Sequence, residues 1–200
     1  MFDATIRSRS EQIIEEATTL FSRYGFKDVT VKQLAVACGI TEAALYRHFS
    51  SKRAIYTAVL EAMENRLVQP HVLDAIAEAE QIDELLRGLA EHILEFFTNN
   101  EDLYRLLLYS VLEGHERSAR VFDMIRGRYI RFLVKHLDGL YESGEIVQKN
   151  NEITARCFVG MVFDCALGFS LWKGMQGRVY EPAAVIANNI PIYAKGLRNG

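Results

Sequence analysis

The residues with chemistry to offer lie between Thr30 and Lys52, in the stretch TVKQLAVACGITEAALYRHFSSK. Glu42, Ala43, Tyr46 and Arg47 recur at a spacing that puts them on one outward side of a short helix. A carboxylate there can accept a hydrogen bond from cytosine N4, and an alanine methyl can touch a thymine methyl, which is chemistry suited to the major groove of duplex DNA. Packing does not ask for Tyr46, His48 and Lys52 on an outer surface. Catalytic patterns are missing: there is no phosphate loop of the type G-x-x-x-x-G-K-[ST] and no H-E-x-x-H pair. None of the five His has a Glu three residues before it, as a di-iron bundle would need. Gly168-Phe169-Ser170 starts like a nucleophile elbow, but Trp172 stands where the second glycine belongs. Glu113, His115 and Glu116 beside Gly114 read as solvated residues at a helix junction rather than a metal set. The sequence therefore predicts no catalytic residues, no metal and no cofactor.

The elements that must position these side chains are legible. Thr30 and Gln33 make a capping box, so a helix should begin just after Thr30. Val31, Leu34, Ala35 and Cys38 form its apolar stripe, and Gly39 ends it by accepting a left-handed backbone. Ile40 enters the core and Thr41 caps the next helix, whose inner side is Ala44, Leu45 and Phe49. Ser50, Ser51 and Lys52 open a third. This is a helix-turn-helix, a motif whose second helix normally enters the major groove.

With 200 residues, half of them hydrophobic and only three Pro, the chain suits an all-α protein with ample length for a core. Its formal net charge of -3 argues against a broad basic field. Residues 1–60 nevertheless hold eight Lys/Arg against six Asp/Glu, so DNA binding would rest on placed contacts. Cys38, Cys157 and Cys165 fit no metal spacing, and the N-terminus MFDATIRSRSEQ is polar, which together lead to the expectation of a cytoplasmic protein.

Helix one is predicted from about Ala4 to Tyr24 with Gly25 as its stop, and Arg7 and Arg9 near its start are as well placed for solvent as for phosphate. A helix from about Ser51 to Pro70 carries Ile55, Val59, Met63 and Leu67 in one stripe across any domain boundary. An amphipathic segment over 72–99, a short helix over 101–113 and one long helix from Glu116 to Tyr141 follow. Helix Thr154–Met175 is apolar on two sides: Cys157, Gly160, Met161, Asp164, Gly168, Leu171 and Met175 share one face, Phe158, Val159, Val162, Ala166 and Phe169 the other. Charges at Arg156, Asp164 and Lys173 speak against a membrane span, so one face should pack within the chain and the other on a partner subunit. Cys157, Gly160, Met161, Gly168 and Leu171 are the candidate interface residues. Helix 182–197 should be kinked or split at Pro191. Phe96, Tyr104, Tyr109, Phe122, Tyr129, Phe163 and Trp172 supply more large side chains than a simple core asks for, and Asp164 could face a ligand among them.

The segment from about Gly25 to Tyr56 resembles the DNA-binding domain of the TetR family of bacterial transcription regulators. The resemblance rests on Gly25-Phe26, Thr30-Val31, Leu34-Ala35, Ala37, Gly39-Ile40, Leu45-Tyr46, His48-Phe49 and Lys52. It implies an all-α homodimer with a DNA-binding domain over 1–52 and a ligand-binding and dimerisation domain over 53–200. It implies a regulator, expected to be a repressor, that leaves double-stranded operator DNA when a small apolar or amphipathic inducer binds. It assigns phosphate contacts to Thr30, Tyr46, His48 and Lys52, with Thr41 opening the reading helix. Family members often carry a basic residue, Gly and Thr or Ser after the position of Thr41, whereas Glu42-Ala43-Ala44 stands here, so base choice should differ. A helical enzyme or a protein-interaction module remains the alternative from the residues alone.

Overall fold

The computed structural model describes residues 8–67, 73–147, 150–171 and 181–198. Every regular element among them is helical, and the one extended pairing is an isolated bridge between Ile146 and Arg198. Two compact units divide the chain: residues 1–68 with 102–122, and residues 69–101 with 123–200. The units are interleaved rather than consecutive, because residues 102–122 return to the first.

In the first unit, α1 (Arg9–Asp28) starts from Ser8, whose hydroxyl accepts from Glu11 N–H while the Glu11 carboxylate accepts from Ser8 N–H. Its helical backbone breaks at Gly25 (φ 77, ψ 171), a conformation essentially reserved for glycine. The helices α2 (Val31–Ala37), α3 (Glu42–His48) and α4 (Lys52–Leu67) follow. Their common core holds Ile13, Ala17, Phe21, Leu34, Leu45, Ile55 and Val59, all at most 1% exposed. At its centre Phe21, Phe26 and Tyr56 stack with centroids 4.9 to 6.1 Å apart. The unit is completed by α7 (Glu101–Leu112, from Asp102 onward) and α8 (Ser118–Phe122).

In the second unit, the predicted segment 72–99 is two helices, α5 (Asp74–Ala77) and α6 (Ile82–Asn99). The single long helix expected over Glu116–Tyr141 is not continuous. After α8 comes a π-helical turn, Asp123–Gly127, before α9 (Arg128–Glu142). The Asp123–Arg131 ion pair, 2.5 Å long, crosses over Gly127, where any Cβ would collide with the Asp123 carboxylate. Gly127 within this stretch is a weak helix former, so the regular helix is interrupted there at little cost. The unit closes with α10 (Asn151–Phe169) and α11 (Pro182–Leu197). Helix α11 is neither split nor ended by Pro191, because burial of Ile186, Ile190, Ala194 and Leu197 along it outweighs one lost backbone bond. Among the described residues no helix is long and apolar enough to cross a membrane.

Candidate nucleic-acid interface

The capping chemistry that should aim α2 and α3 is present. The Thr30 hydroxyl oxygen accepts from Gln33 N–H at 3.2 Å, and the Gln33 side chain accepts from Thr30 N–H at 2.8 Å. The Thr41 hydroxyl oxygen accepts from Ala44 N–H at 3.1 Å, which fixes the first turn of α3. Gly39 takes φ 64 between the two helices. Leu34, Ala35 and Leu45 are buried beneath them.

This anchoring leaves Thr41, Glu42, Ala43, Tyr46, Arg47 and His48 exposed on one short helix, with Thr30 exposed at the start of the other. Tyr46 is 50% exposed, as a residue offered to a partner should be. Hydroxyl, imidazole and guanidinium donors beside a carboxylate make a surface that can both grip phosphates and read base edges. The His48 Nδ1 lies 3.3 Å from the Ser10 hydroxyl, so its ring is steadied from α1.

Lys52 differs from the other candidate residues. Its ammonium donates to the carbonyls of Phe26 at 2.7 Å and Val29 at 2.8 Å, and lies 4.3 Å from the centroid of the Phe26 ring. It is half-buried and clamps the α1–α2 connection, which the sequence did not reveal. Arg9 likewise donates to the Cys38 carbonyl at 2.9 Å and ties α1 to the end of α2. Arg7 lies outside the described residues.

The other predicted residues scatter. Tyr104, Tyr109 and Phe122 belong to the first unit, while Phe96, Tyr129, Phe163 and Asp164 belong to the second. Trp172 lies outside the described residues. Within the second unit, Tyr129 is fully buried, its hydroxyl accepting from Arg128 at 2.5 Å and lying 3.2 Å from His92 Nε2. Phe163 lies 6.2 Å from Tyr129 and Phe96 6.4 Å from His92, so these rings form one aromatic group. Asp164 is exposed, and Arg156 pairs with Glu152 at 2.7 Å instead. An exposed carboxylate bears no burial cost, which removes the reason for expecting a cationic ligand opposite it. A separate open groove of about 560 Å³ runs between α6 and α11, lined by Arg87, Glu91, Leu94, Glu95, Pro182 and Ile186. None of the seven sequence-predicted ligand residues that the structure describes lines it.

On α10, Ala155, Phe158, Val159, Val162, Phe163 and Ala166 face the unit's own core. Of the expected interface residues, Cys157 is exposed and Gly160, Met161 and Leu171 are half-buried. Gly168 is buried within the single chain.

One titration accompanies the first unit. His115 is 6% exposed and packs edge-on against Tyr56 at 5.1 Å, its Nδ1 accepting from Arg117 N–H at 3.2 Å. Burial first, then the Arg53 charge, pushes its pKa below the ordinary histidine value. The unfolded chain then takes up the proton first, so stability is full above pH ~6.5 and falls as pH drops below it. The melting midpoint should therefore decline between pH 7 and 5, and less steeply in His115→Gln. His92, lowered chiefly by burial, adds to the same trend. Parallel curves for the two proteins would remove His115 as a cause.

Among known proteins, the TetR_N family, described as bacterial regulatory proteins of the tetR family, matches residues 13–59. The chain is 31% identical over 140 residues to the nucleoid occlusion factor SlmA of Pectobacterium carotovorum subsp. carotovorum (strain PC1), covering 67% of this chain and 70% of that protein. It is 30% identical over 132 residues to the SlmA of Glaesserella parasuis serovar 5 (strain SH0165), covering 64% of this chain and 65% of that protein, just under two thirds of its length. The fold is similar to that of AibR in complex with isovaleryl coenzyme A and operator DNA, with a TM-score of 0.67 at 22% identity over 92% of this chain and 97% of that one. With its helix-turn-helix matched in sequence and its helical architecture matched over nearly the whole chain, this protein belongs to the TetR family of bacterial DNA-binding regulators.

Proposed function

We propose that the protein is a homodimeric repressor. It reads double-stranded operator DNA through α3 and leaves it when a small apolar or amphipathic molecule binds the helical remainder of the chain. The DNA-reading module is residues 1–52, and residues 53–200 supply the ligand site and the subunit contact. The observation that carries this reading is the row of exposed polar and basic side chains on α3, held outward by buried Leu45 and the Thr41 cap. Thr30, Tyr46 and His48 serve as phosphate donors, while Glu42, Ala43 and Arg47 bear on base choice. Lys52 acts on phosphate only if it gives up part of its grip on the α1–α2 carbonyls. Dimerisation places two reading helices ~34–36 Å apart, matching successive major grooves on one face of a duplex. The outer face of α10, where Ile153, Cys157, Gly160 and Met161 surround the exposed Asp164, together with Ile192 on α11, is the surface that supports it. The ligand site is assigned to the aromatic group of Phe96, Tyr129 and Phe163. That AibR has been solved with both an acyl-coenzyme A and operator DNA supports a ligand in this fold.

A gel-shift with the DNA upstream of the protein's own gene tests the reading. A discrete complex that survives competitor DNA is expected, and none forming at micromolar protein would contradict it. Glu42→Lys tests the assignment of α3. A carboxylate that accepts from cytosine should give way to an ammonium that prefers guanine, changing selection at one position by about 1–3 kcal/mol. An unchanged consensus would reduce Glu42 to a favourable charge on the helix N-terminus.

A second reading, a nucleoid occlusion factor like the relatives of that name, draws on identity over 64–67% of the chain. Chromosome-wide binding separates the two: one or a few sites near regulated genes fit the repressor, and many dispersed sites fit the other.

A further inference from the structure

Residues 109–120 grip the connection that leads into the DNA-reading helices. The break at Gly25 ends the hydrogen-bond ladder of α1, and the amides just beyond it need acceptors. Glu113, at the end of α7, supplies them. One carboxylate oxygen accepts from Phe26 N–H at 3.2 Å and the other from Lys27 N–H at 3.1 Å, across 86 to 87 residues of sequence. The Tyr109 ring lies flush against the same break: a Cβ on Gly25 would stand 2.8 Å from its Cδ1. From the other side, Lys52 holds the Phe26 and Val29 carbonyls. The four residues Phe26 to Val29 are thus held by a carboxylate on their donors and an ammonium on their acceptors.

The same stretch is braced against α4. Arg117 pairs with Glu61 at 2.5 Å and with Glu64 at 3.2 Å, and Arg120 pairs with Glu64 at 3.0 Å. Glu64 is almost fully buried, so its pair with Arg117 is shielded from water, while Glu61 and Arg120 stay open to solvent. His115 adds its edge-on contact with Tyr56. Residues 102–122 are continuous in the chain with the second unit at both ends, through Glu101 and Asp123.

We propose that Glu113 is a positioning residue for DNA recognition: its carboxylate on the Phe26 and Lys27 amides holds α2 and α3 in their DNA-binding orientation. The inference rests on the reading that α3 binds DNA. Charge-assisted bonds to backbone amides are short-ranged and directional, so a shift of the α7 end breaks them before it disturbs the cores on either side.

The test uses the full-length protein, DNA recovered from a random pool with the wild type, and Glu113→Ala, Glu113→Gln and Glu116→Ala, Glu116 being an exposed neighbour. Glu113→Ala should lose about tenfold or more in affinity for the selected sequence and much less for random DNA, the scale expected for losing a charge-assisted bond. Its melting midpoint should fall by a few degrees at most, and amide exchange at Phe26 and Lys27 should speed up. Glu113→Gln, which keeps one acceptor, should fall between, and Glu116→Ala should behave as wild type. Unchanged affinity and exchange in Glu113→Ala would overturn the proposal. So would equal losses on selected and random DNA with a midpoint lowered beyond that, the mark of a merely structural role. Should the wild type enrich no sequence, the reading of α3 fails. Exchange at Phe26 and Lys27 then still decides whether Glu113 holds them.

Discussion

Replacing Gly25 with alanine should destabilise the DNA-reading unit by about 3 kcal/mol or more and take specific DNA binding with it, from backbone strain of ~1–3 kcal/mol and overpacking of similar size. The backbone term follows from φ 77 and ψ 171, where a side chain is rarely tolerated. The packing term follows from the Tyr109 ring, with Cδ1 and Cε1 at 2.8 and 2.9 Å from the added carbon. The two separate in a double variant: Gly25→Ala with Tyr109→Ala recovers the steric part relative to Tyr109→Ala alone and leaves the backbone part. Urea unfolding of the single and double variants gives both numbers. A single variant within about 0.5 kcal/mol of wild type, the range of an ordinary surface change, would show that neither strain is real.

The second large effect concerns the subunit contact. Ile192 is 63% exposed and Ile153 57% exposed, and both offer apolar surface that a partner subunit can cover. A carboxylate at either position would be buried and unpaired if α10 and α11 meet their counterparts in a dimer. The cost is several kcal/mol per buried charge, and a symmetric dimer carries each change twice. Ile192→Glu should therefore raise the dimer dissociation constant by about a hundredfold or more, each factor of ten being 1.4 kcal/mol. Light scattering at micromolar protein should report a monomer where wild type is a dimer, with DNA affinity falling as the paired half-site contact is lost. Wild-type monomers, or an Ile192→Glu that dimerises as wild type does, would contradict this interface. Gly168 is a poor probe of it, since that residue is already buried in the single chain.

The reading head was legible in the sequence because its determinants are local. The Thr30–Gln33 box, the Gly39 turn, the Thr41 cap and the Leu34/Leu45 pair each lie within a few residues of what they position. The two apolar faces of α10 were legible for the same reason, as 3.6-residue repeats, but not which of them turns inward. What escaped was non-local or depended on a single side chain. Glu113 looked like a solvated residue because nothing nearby marks it as the acceptor for amides 86 residues away. Lys52 looked like a free donor because its carbonyl partners lie on the other side of α2 and α3. The long helix expected over 116–141 missed the π turn at Asp123–Gly127, since the apolar periodicity runs on through it. Aromatic excess was read as a single pocket, yet its members divide between two compact units, since helical spacing reports burial and not which core is filled.

The measurement closest to the central claim is selection of binding sites from random duplex DNA by the purified full-length protein, followed by the same selection with Tyr46→Ala and Glu42→Lys. Wild type should enrich an imperfect palindrome whose half-sites lie about one helical turn, ~10–10.5 base pairs, apart or a multiple of it. Tyr46→Ala should weaken binding to that site without altering its sequence, and Glu42→Lys should alter the sequence. A wild-type protein that enriches no sequence, while remaining folded by its melting curve, would contradict the account.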